Sequence, residues 1–212
     1  MELVDESKLD LSGQCLKKIP KIPNAESASK VTELHLDNND INRLENISQF
    51  PSVVELSATH NALIRMYPIV HLRHVVRLDL SHNQLVNIEG LKELVHLTHL
   101  NLSCNKIKAI EQLRTNTLLE QLDLSENAIT AISNISQLAK LRKLFLHRNL
   151  INQLRHCEVY LPITLETLTL FKRRVAVLAR SRQTVSPWPT HPAGEVPDRD
   201  MSAQQPKSPV RT

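Results

Sequence analysis

Glycine, cysteine and aromatic residues are all scarce in this 212-residue chain, which has three glycines, three cysteines and 3% aromatics. No glycine-rich loop is available to cradle a phosphate, and neither a Cys-x-x-Cys pair nor a Gly-x-Ser-x-Gly elbow occurs. With so few rings the interior must be leucine, which is not the make-up of an ordinary mixed enzyme core. Catalysis and cofactor binding are therefore not expected. Cys15, Cys104 and Cys157 stand too far apart in sequence for a disulfide framework and suit a reducing compartment. No apolar run approaches the ~20 residues of a membrane span. The opening MELVDESKLDLSG has neither a basic stretch nor a continuous apolar one, so a cytosolic protein without a signal peptide is expected.

Charge is unevenly placed. Of the +4 formal net charge, residues 171–212 supply 8 Lys and Arg against 3 Asp and Glu, leaving 18 against 19 over residues 1–170. A near-neutral body offers no broad electrostatic footprint for a phosphate backbone, so nucleic acid is not an expected partner.

What the chain does have is a period. VTELHLDNNDI from Val31, VVELSATHNAL from Val53, VVRLDLSHNQL from Val75, LTHLNLSCNKI from Leu97, LEQLDLSENAI from Leu119 and LRKLFLHRNLI from Leu141 repeat one unit every 22 residues. The pattern LxxLxLxxNxL at this spacing is that of leucine-rich repeats, an α/β solenoid expected to be right-handed with a parallel sheet on its concave side. After each Asn the apolar beat continues in three-residue steps, as in Ile41-Leu44-Ile47-Phe50 and Leu85-Ile88-Leu91-Leu94, which suits a short helical or 3₁₀ return. Each apolar side chain stabilises by roughly 1.5–3 kcal/mol on full burial. Ordering the backbone costs about 1–2 kcal/mol per residue, so one unit cannot stand alone and stability needs neighbours.

Asn39, Asn61, Asn83, Asn105, Asn127 and Asn149 form a structural ladder. They stand where the chain turns inward and leaves backbone groups buried, and a carboxamide both donates and accepts there. Residues 1–30 are read as a degenerate N-terminal capping repeat, with Gln14 in the Asn slot of LDLSGQCLKKIP. Residues 31–178 hold six full units and one broken unit: LETLTLFKRRV starts 24 residues on at Leu165 and puts Arg173 in the Asn slot, with no closing cap in view. Residues 179–212, with six of the eleven prolines and no period, are expected to be a disordered basic Pro/Ser-rich tail.

Strands stacked ~4.8 Å apart line up the variable positions as columns on the concave face, where repeat proteins bind partners. One column is His35, Ser57, Asp79, Asn101, Asp123, Phe145; the next is Asp37, Thr59, Ser81, Ser103, Ser125, His147. Acids, Glu55 among them, gather toward the N-terminal end, whereas Lys143, His147 and Arg148 flank Phe145 near the other. Phe145 and Arg148 are the preferred contact residues because aromatic and arginine anchors dominate many interfaces; the plainer reading is that they are solvated positions.

A further column, His60, His82, Cys104 and Glu126, has metal-compatible ligands. All four would span ~15 Å, too far for one tetrahedral ion. No metal is expected, and a metal-dependent enzyme is a remote alternative resting on His60, His82 and Cys104. The segment KRRVAVLARSR, Lys172–Arg182, reads either as a short basic amphipathic helix or as an aborted repeat covering the coil end.

The LxxLxLxxNxIxxIxxL pattern with IEGLKEL at Ile88–Leu94 resembles the protein phosphatase regulator class of leucine-rich repeats. VNIEGLKELVHLTHLNL, KAIEQL, LEQLDLSENAI and the longer last step with Leu154-Arg155 and Tyr160-Leu161-Pro162 are similar to the centrosomal leucine-rich repeat and IQ domain family. That resemblance implies a cytoplasmic scaffold at the centrosome and cytoskeleton, partnered by a coiled-coil protein capping the distal end of centrioles and restraining cilium assembly. No IQ helix is visible, so calmodulin is not an expected partner. The phosphatase resemblance implies the alternative of a regulatory subunit.

Overall fold

The first leucine of each repeat's Leu-x-Leu or equivalent is the centre of a short strand, pointing inward while the two side chains that flank it point out, the period-2 consequence of an extended backbone. The computed structural model describes residues 7–152, 161–171 and 174–177. Strands β1 (Lys8–Asp10), β2 (Glu33–His35), β3 (Glu55–Ser57), β4 (Arg77–Asp79), β5 (His99–Asn101), β6 (Gln121–Asp123), β7 (Lys143–Phe145) and β8 (Thr167–Phe171) pair in parallel, in chain order. From β2 to β7 the register advances by 22 residues, Leu34↔Leu56↔Leu78↔Leu100↔Leu122↔Leu144. The first step, Leu9↔Leu34, is 25 residues and the last, Leu144↔Leu168, is 24. The expected leucine-rich repeat architecture is therefore the observed one, and the leucine column from Leu34 to Leu168 is almost wholly out of water.

Little of the return path is helical. The three-residue apolar steps close through pairs of N–H to C=O bonds three residues apart: Leu94 donates to Leu91 and Leu97 to Leu94, as Phe50 does to Ile47 and Val53 to Phe50. Such isolated turns keep every third side chain facing the core. Among the described residues they lengthen into 3₁₀ segments at Ile47–Gln49 and Tyr67–His71. The one α-helix among the described residues, α1 (Ala25–Lys30), lies in the first coil. The Asn24 carboxamide oxygen caps it by accepting from the Glu26 and Ser27 amides.

The asparagine ladder joins coil to coil. Asn83 donates through Nδ2 to the carbonyls of Ala58, Leu80 and Ser81 at 2.9, 3.1 and 3.1 Å, and its Oδ1 accepts from the Leu63 amide at 2.9 Å. Asn105 and Asn127 repeat the set. Asn61 and Asn149 keep the link to the preceding coil, donating to Leu36 and Leu124. Asn39 accepts from the Gln14 and Leu16 amides, tying on the first coil although Gln14 occupies the equivalent slot there.

Strand β9 (Arg174–Val177) runs antiparallel to β8. This corrects the helical reading of Lys172–Arg182 over these four residues, and an added strand covers the backbone edge that β8 would otherwise present. Arg173, Leu154, Arg155, Cys157, Tyr160 and the tail from 179 lie outside the described residues, as does residue 178 at the end of the broken unit.

Candidate functional site

The outward-facing positions of the strands make two adjoining columns. The register Asp10↔His35↔Ser57↔Asp79↔Asn101↔Asp123↔Phe145↔Thr169 forms one, and Lys8↔Glu33↔Glu55↔Arg77↔His99↔Gln121↔Lys143↔Thr167 forms the other. Hydrogen bonding sorts the first. Asp79 Oδ1 accepts from the Ser81 amide at 2.9 Å, Asn101 Oδ1 from the Ser103 amide at 3.1 Å and Asp123 Oδ1 from the Ser125 amide at 2.9 Å. These are Asx turns that secure the end of each strand. Asp10 does the same with Ser12, and those bonds hold its carboxyl below the usual carboxylate range. Where His35 and Ser57 replace the acid, Asp37 takes over, its Oδ1 accepting from Ser57 Oγ at 2.6 Å and the Thr59 amide at 2.7 Å.

The second column is freer. Glu55 meets Arg77 at 3.4 Å and Glu33 meets Lys8 at 3.9 Å, both as exposed pairs of small energetic weight. Between the columns runs a groove of about 290 Å³ over β2–β6, with His35, Glu55, Arg77, His99 and Gln121 among its walls. Arg77 and Gln121 were not singled out from the sequence. Their signal was the slot just before the inward leucine, which shares the outward face with the slot just after it. His35 lies between Glu33 and Asp37, and its Nε2 is buried without a hydrogen-bond partner. Toward the C-terminal end Phe145 is half-buried, Lys143 is exposed, and His147 Nδ1 lies 3.2 Å from Thr169 Oγ1.

The residue preceding each ladder asparagine has a left-handed backbone: Asn38, His60, His82, Cys104, Glu126 and Arg148, with φ between 51° and 56°, and Gly13, before Gln14 in the first coil, has φ 67°. Left-handed geometry costs a side chain with a Cβ about 1–2 kcal/mol, with Asn the best tolerated non-glycine. The His60, His82 and Cys104 column is thus a turn column, not a strand column. Its neighbours satisfy one another pairwise. The His60 and His82 rings stack at 4.1 Å with an 11° interplanar angle, and Glu126 accepts from Arg148 at 2.5 Å. Burial first, and then Glu126, push the Cys104 thiol above its usual value, the opposite of what a nucleophile needs. Among the described residues no three His, Cys, Asp or Glu side chains converge to hold a metal ion. Arg148 belongs to this corner and is engaged by Glu126, so of the two preferred contacts only Phe145 stands on the strand face.

Residues 73–115 match the family model described as Leucine Rich repeats (2 copies), and residues 95–151 match that described as Leucine rich repeat. The chain carries leucine-rich repeats. Solved leucine-rich repeat structures share the fold. An internalin C2 from Listeria monocytogenes is 22% identical with a TM-score of 0.56 over 77% of this chain and 80% of that one. The leucine-rich repeat domain of APL1B is 19% identical with a TM-score of 0.61 over 78% of this chain and 54% of that one. No curated protein matches. Neither family model is catalytic, and leucine-rich repeats stack into extended surfaces that serve as protein-binding scaffolds. Among the described residues no helix is long and apolar enough to cross a membrane.

Proposed function

We propose that this leucine-rich repeat chain is a non-catalytic scaffold that receives an extended segment of a protein partner along its strand face. One observation carries the reading: the groove over β2–β6 is walled by Arg77, His99 and Gln121, side chains without an Asx-turn duty, and the next strand, β7, carries Phe145 on the same face. Apolar and guanidinium groups beside polar neighbours are what interface anchors require. The finer assignment rests on the sequence resemblance of VNIEGLKELVHLTHLNL and LEQLDLSENAI. It is a cytoplasmic scaffold at the centrosome that holds a coiled-coil capping protein of the centriole and so restrains cilium assembly.

Proximity labelling with the full chain as bait tests both levels. Labelling of a centriolar coiled-coil cap supports the finer assignment; labelling of a phosphatase catalytic subunit replaces it with a regulatory-subunit role. Replacing Phe145 by Ala removes an anchor and should weaken the captured partner by roughly 30-fold, the equivalent of a hot spot of about 2 kcal/mol. Unchanged affinity in both Phe145→Ala and Arg77→Glu would remove the strand face from the account.

A further inference from the structure

The corner of the first three coils, away from the strand face, carries cations with no ion-pair partner. In the first coil, Leu16 O accepts from the Asp40 amide and Ile19 O from Asn46 Nδ2. These two bonds bracket Lys17-Lys18 and set them beside Asn42-Arg43 of the next coil. One coil further, Ile64-Arg65 occupies the same slots, since Ala62 N donates to Ile41 O. A basic column Lys18, Arg43, Arg65 follows, with Lys17 and Lys21 at its flank. Among the described residues Lys17, Lys18, Lys21 and Arg43 form no ion pair, whereas Arg65 is bound by Glu89 through two bonds of 2.9 and 2.8 Å. The acids at this corner are Glu45, in the lining of the neighbouring cavity, and Asp40, held next to Leu16 by its amide.

Next to this column is a cavity of about 570 Å³ lined by Arg43, Ile64, Arg65, Tyr67 and Pro68. Ile64 and Tyr67 are each 55% exposed, among the largest apolar surfaces left in water. Coils further along put Val86 and Lys108 in the Ile64 slot and Asn87 and Ala109 in the Arg65 slot, so the combination does not extend along the solenoid. Two demands therefore coincide at one place: unneutralised positive charge, and a concave apolar seat whose tyrosine and arginines are residue types favoured at interfaces.

We propose that this corner is a second docking surface, taking an acidic peptide segment of a protein partner that seats an apolar side chain between Ile64 and Tyr67 and sets its carboxylates against Lys18 and Arg43. A concave seat favours a peptide over a lipid surface, because a bilayer engages protruding apolar side chains. The strand face sets Asp10, Glu33, Asp37, Glu55, Asp79 and Asp123 against Lys8, Arg77 and Lys143, so its net charge is negative and it disfavours such a peptide.

The test uses the full chain and a fluorescein-labelled 12-residue peptide of glutamates with two leucines and a tyrosine. An all-glutamate peptide, a lysine-for-glutamate peptide and vesicles of phosphatidylserine in phosphatidylcholine serve as comparisons. The Glu/Leu/Tyr peptide is expected to bind at least tenfold more tightly than the other two peptides, and to weaken with added salt. Lys18→Glu/Arg43→Glu should lower that affinity at least tenfold, and so should Ile64→Ser/Tyr67→Ser, which leaves the charges in place. Phe145→Ala should leave it unchanged, which separates this surface from the strand face. Equal binding of the three peptides, insensitivity to both double variants while circular dichroism shows them folded, or capture by the vesicles in preference to the peptide would each overturn the proposal.

Discussion

Replacing Asn83 by Ala isolates what the ladder contributes, because the partners can be followed one by one. Four bonds are lost, but the losses differ. The Leu80 carbonyl keeps the Asn105 Nδ2 donor at 3.0 Å, and the Ser81 carbonyl keeps the His60 amide at 3.2 Å. The Ala58 carbonyl and the Leu63 amide have no other partner among the described residues, and both residues are 0% exposed. A buried group left unpartnered costs about 1–3 kcal/mol, so two of them with the void left by the carboxamide come to roughly 3–5 kcal/mol. That is a large share of the 5–15 kcal/mol typical of a domain. Urea unfolding of the full chain by far-ultraviolet circular dichroism reads the difference directly. Asn83→Asp sharpens the argument: it preserves the acceptor for Leu63 but turns an oxygen toward three carbonyls. The carboxyl should then hold its proton in the folded state, with a pKa above its unfolded value. Its stability should be greatest below the unfolded pKa and fall as pH rises through the folded one. A loss below about 1 kcal/mol for Asn83→Ala, or an Asp variant insensitive to acid, would refute the ladder's assigned role.

Three further outcomes follow from the same bookkeeping of partners. Asn116→Leu should stabilise by about 1–2 kcal/mol in the same urea assay: Asn116 stands in the column of Phe50, Leu72, Leu94 and Leu138, is fully buried, and leaves its Oδ1 unpartnered, while the Leu91 and Leu94 carbonyls it touches keep the Leu94 and Leu97 amides. Cys104→Asn should raise the melting temperature by the equivalent of roughly 0.5–1 kcal/mol, since Asn accepts left-handed backbone better than Cys. The Arg65 guanidinium holds the Glu89 carboxyl below its usual value against the opposing effect of burial, so wild type should exceed Glu89→Gln in melting temperature above the unfolded carboxylate pKa, and the gap should close as pH falls through the folded pKa.

Periodic features were legible in the sequence because each is one physical requirement met many times. Inward leucines, strand register and ladder asparagines recur at 22 residues, and each repetition reinforces the others. Features that occur once were not legible. Helix α1 occupies the extra length of the first, 25-residue step, and only Asn24 followed by Glu26 hints at it. Asn116 replaces a leucine at a position whose burial depends on the coils on either side. Periodicity located the column His60, His82 and Cys104 correctly but not its conformation, because the left-handed turn is imposed by the inward bend at the next asparagine. Gly90 marks a comparable requirement on the return side, where Asn46, Gln112 and Asn134 also have positive φ. At Gly90 a Cβ would stand 2.8 Å from the Tyr67 carbonyl oxygen.

The division of labour on the strand face changes what binding mutations mean. Asp79, Asn101 and Asp123 read from the sequence as partner-binding residues, yet each already secures a backbone amide two positions on. Alanine at these sites would weaken any partner indirectly by loosening a strand end, and so would overstate a contact. Glu55, Arg77, His99, Gln121 and Lys143 occupy the neighbouring slot, where the backbone is secured by the ladder of strands and no Asx turn is needed. A partner can reach these side chains without competing with the fold. The informative comparison is therefore between adjacent residues of one coil, Arg77 against Asp79. Arg77→Ala should move affinity and leave the urea midpoint in place, and Asp79→Ala should lower the midpoint by the equivalent of about 1–3 kcal/mol, the net worth of its two hydrogen bonds, from the Ser81 amide and from Asn101 Nδ2.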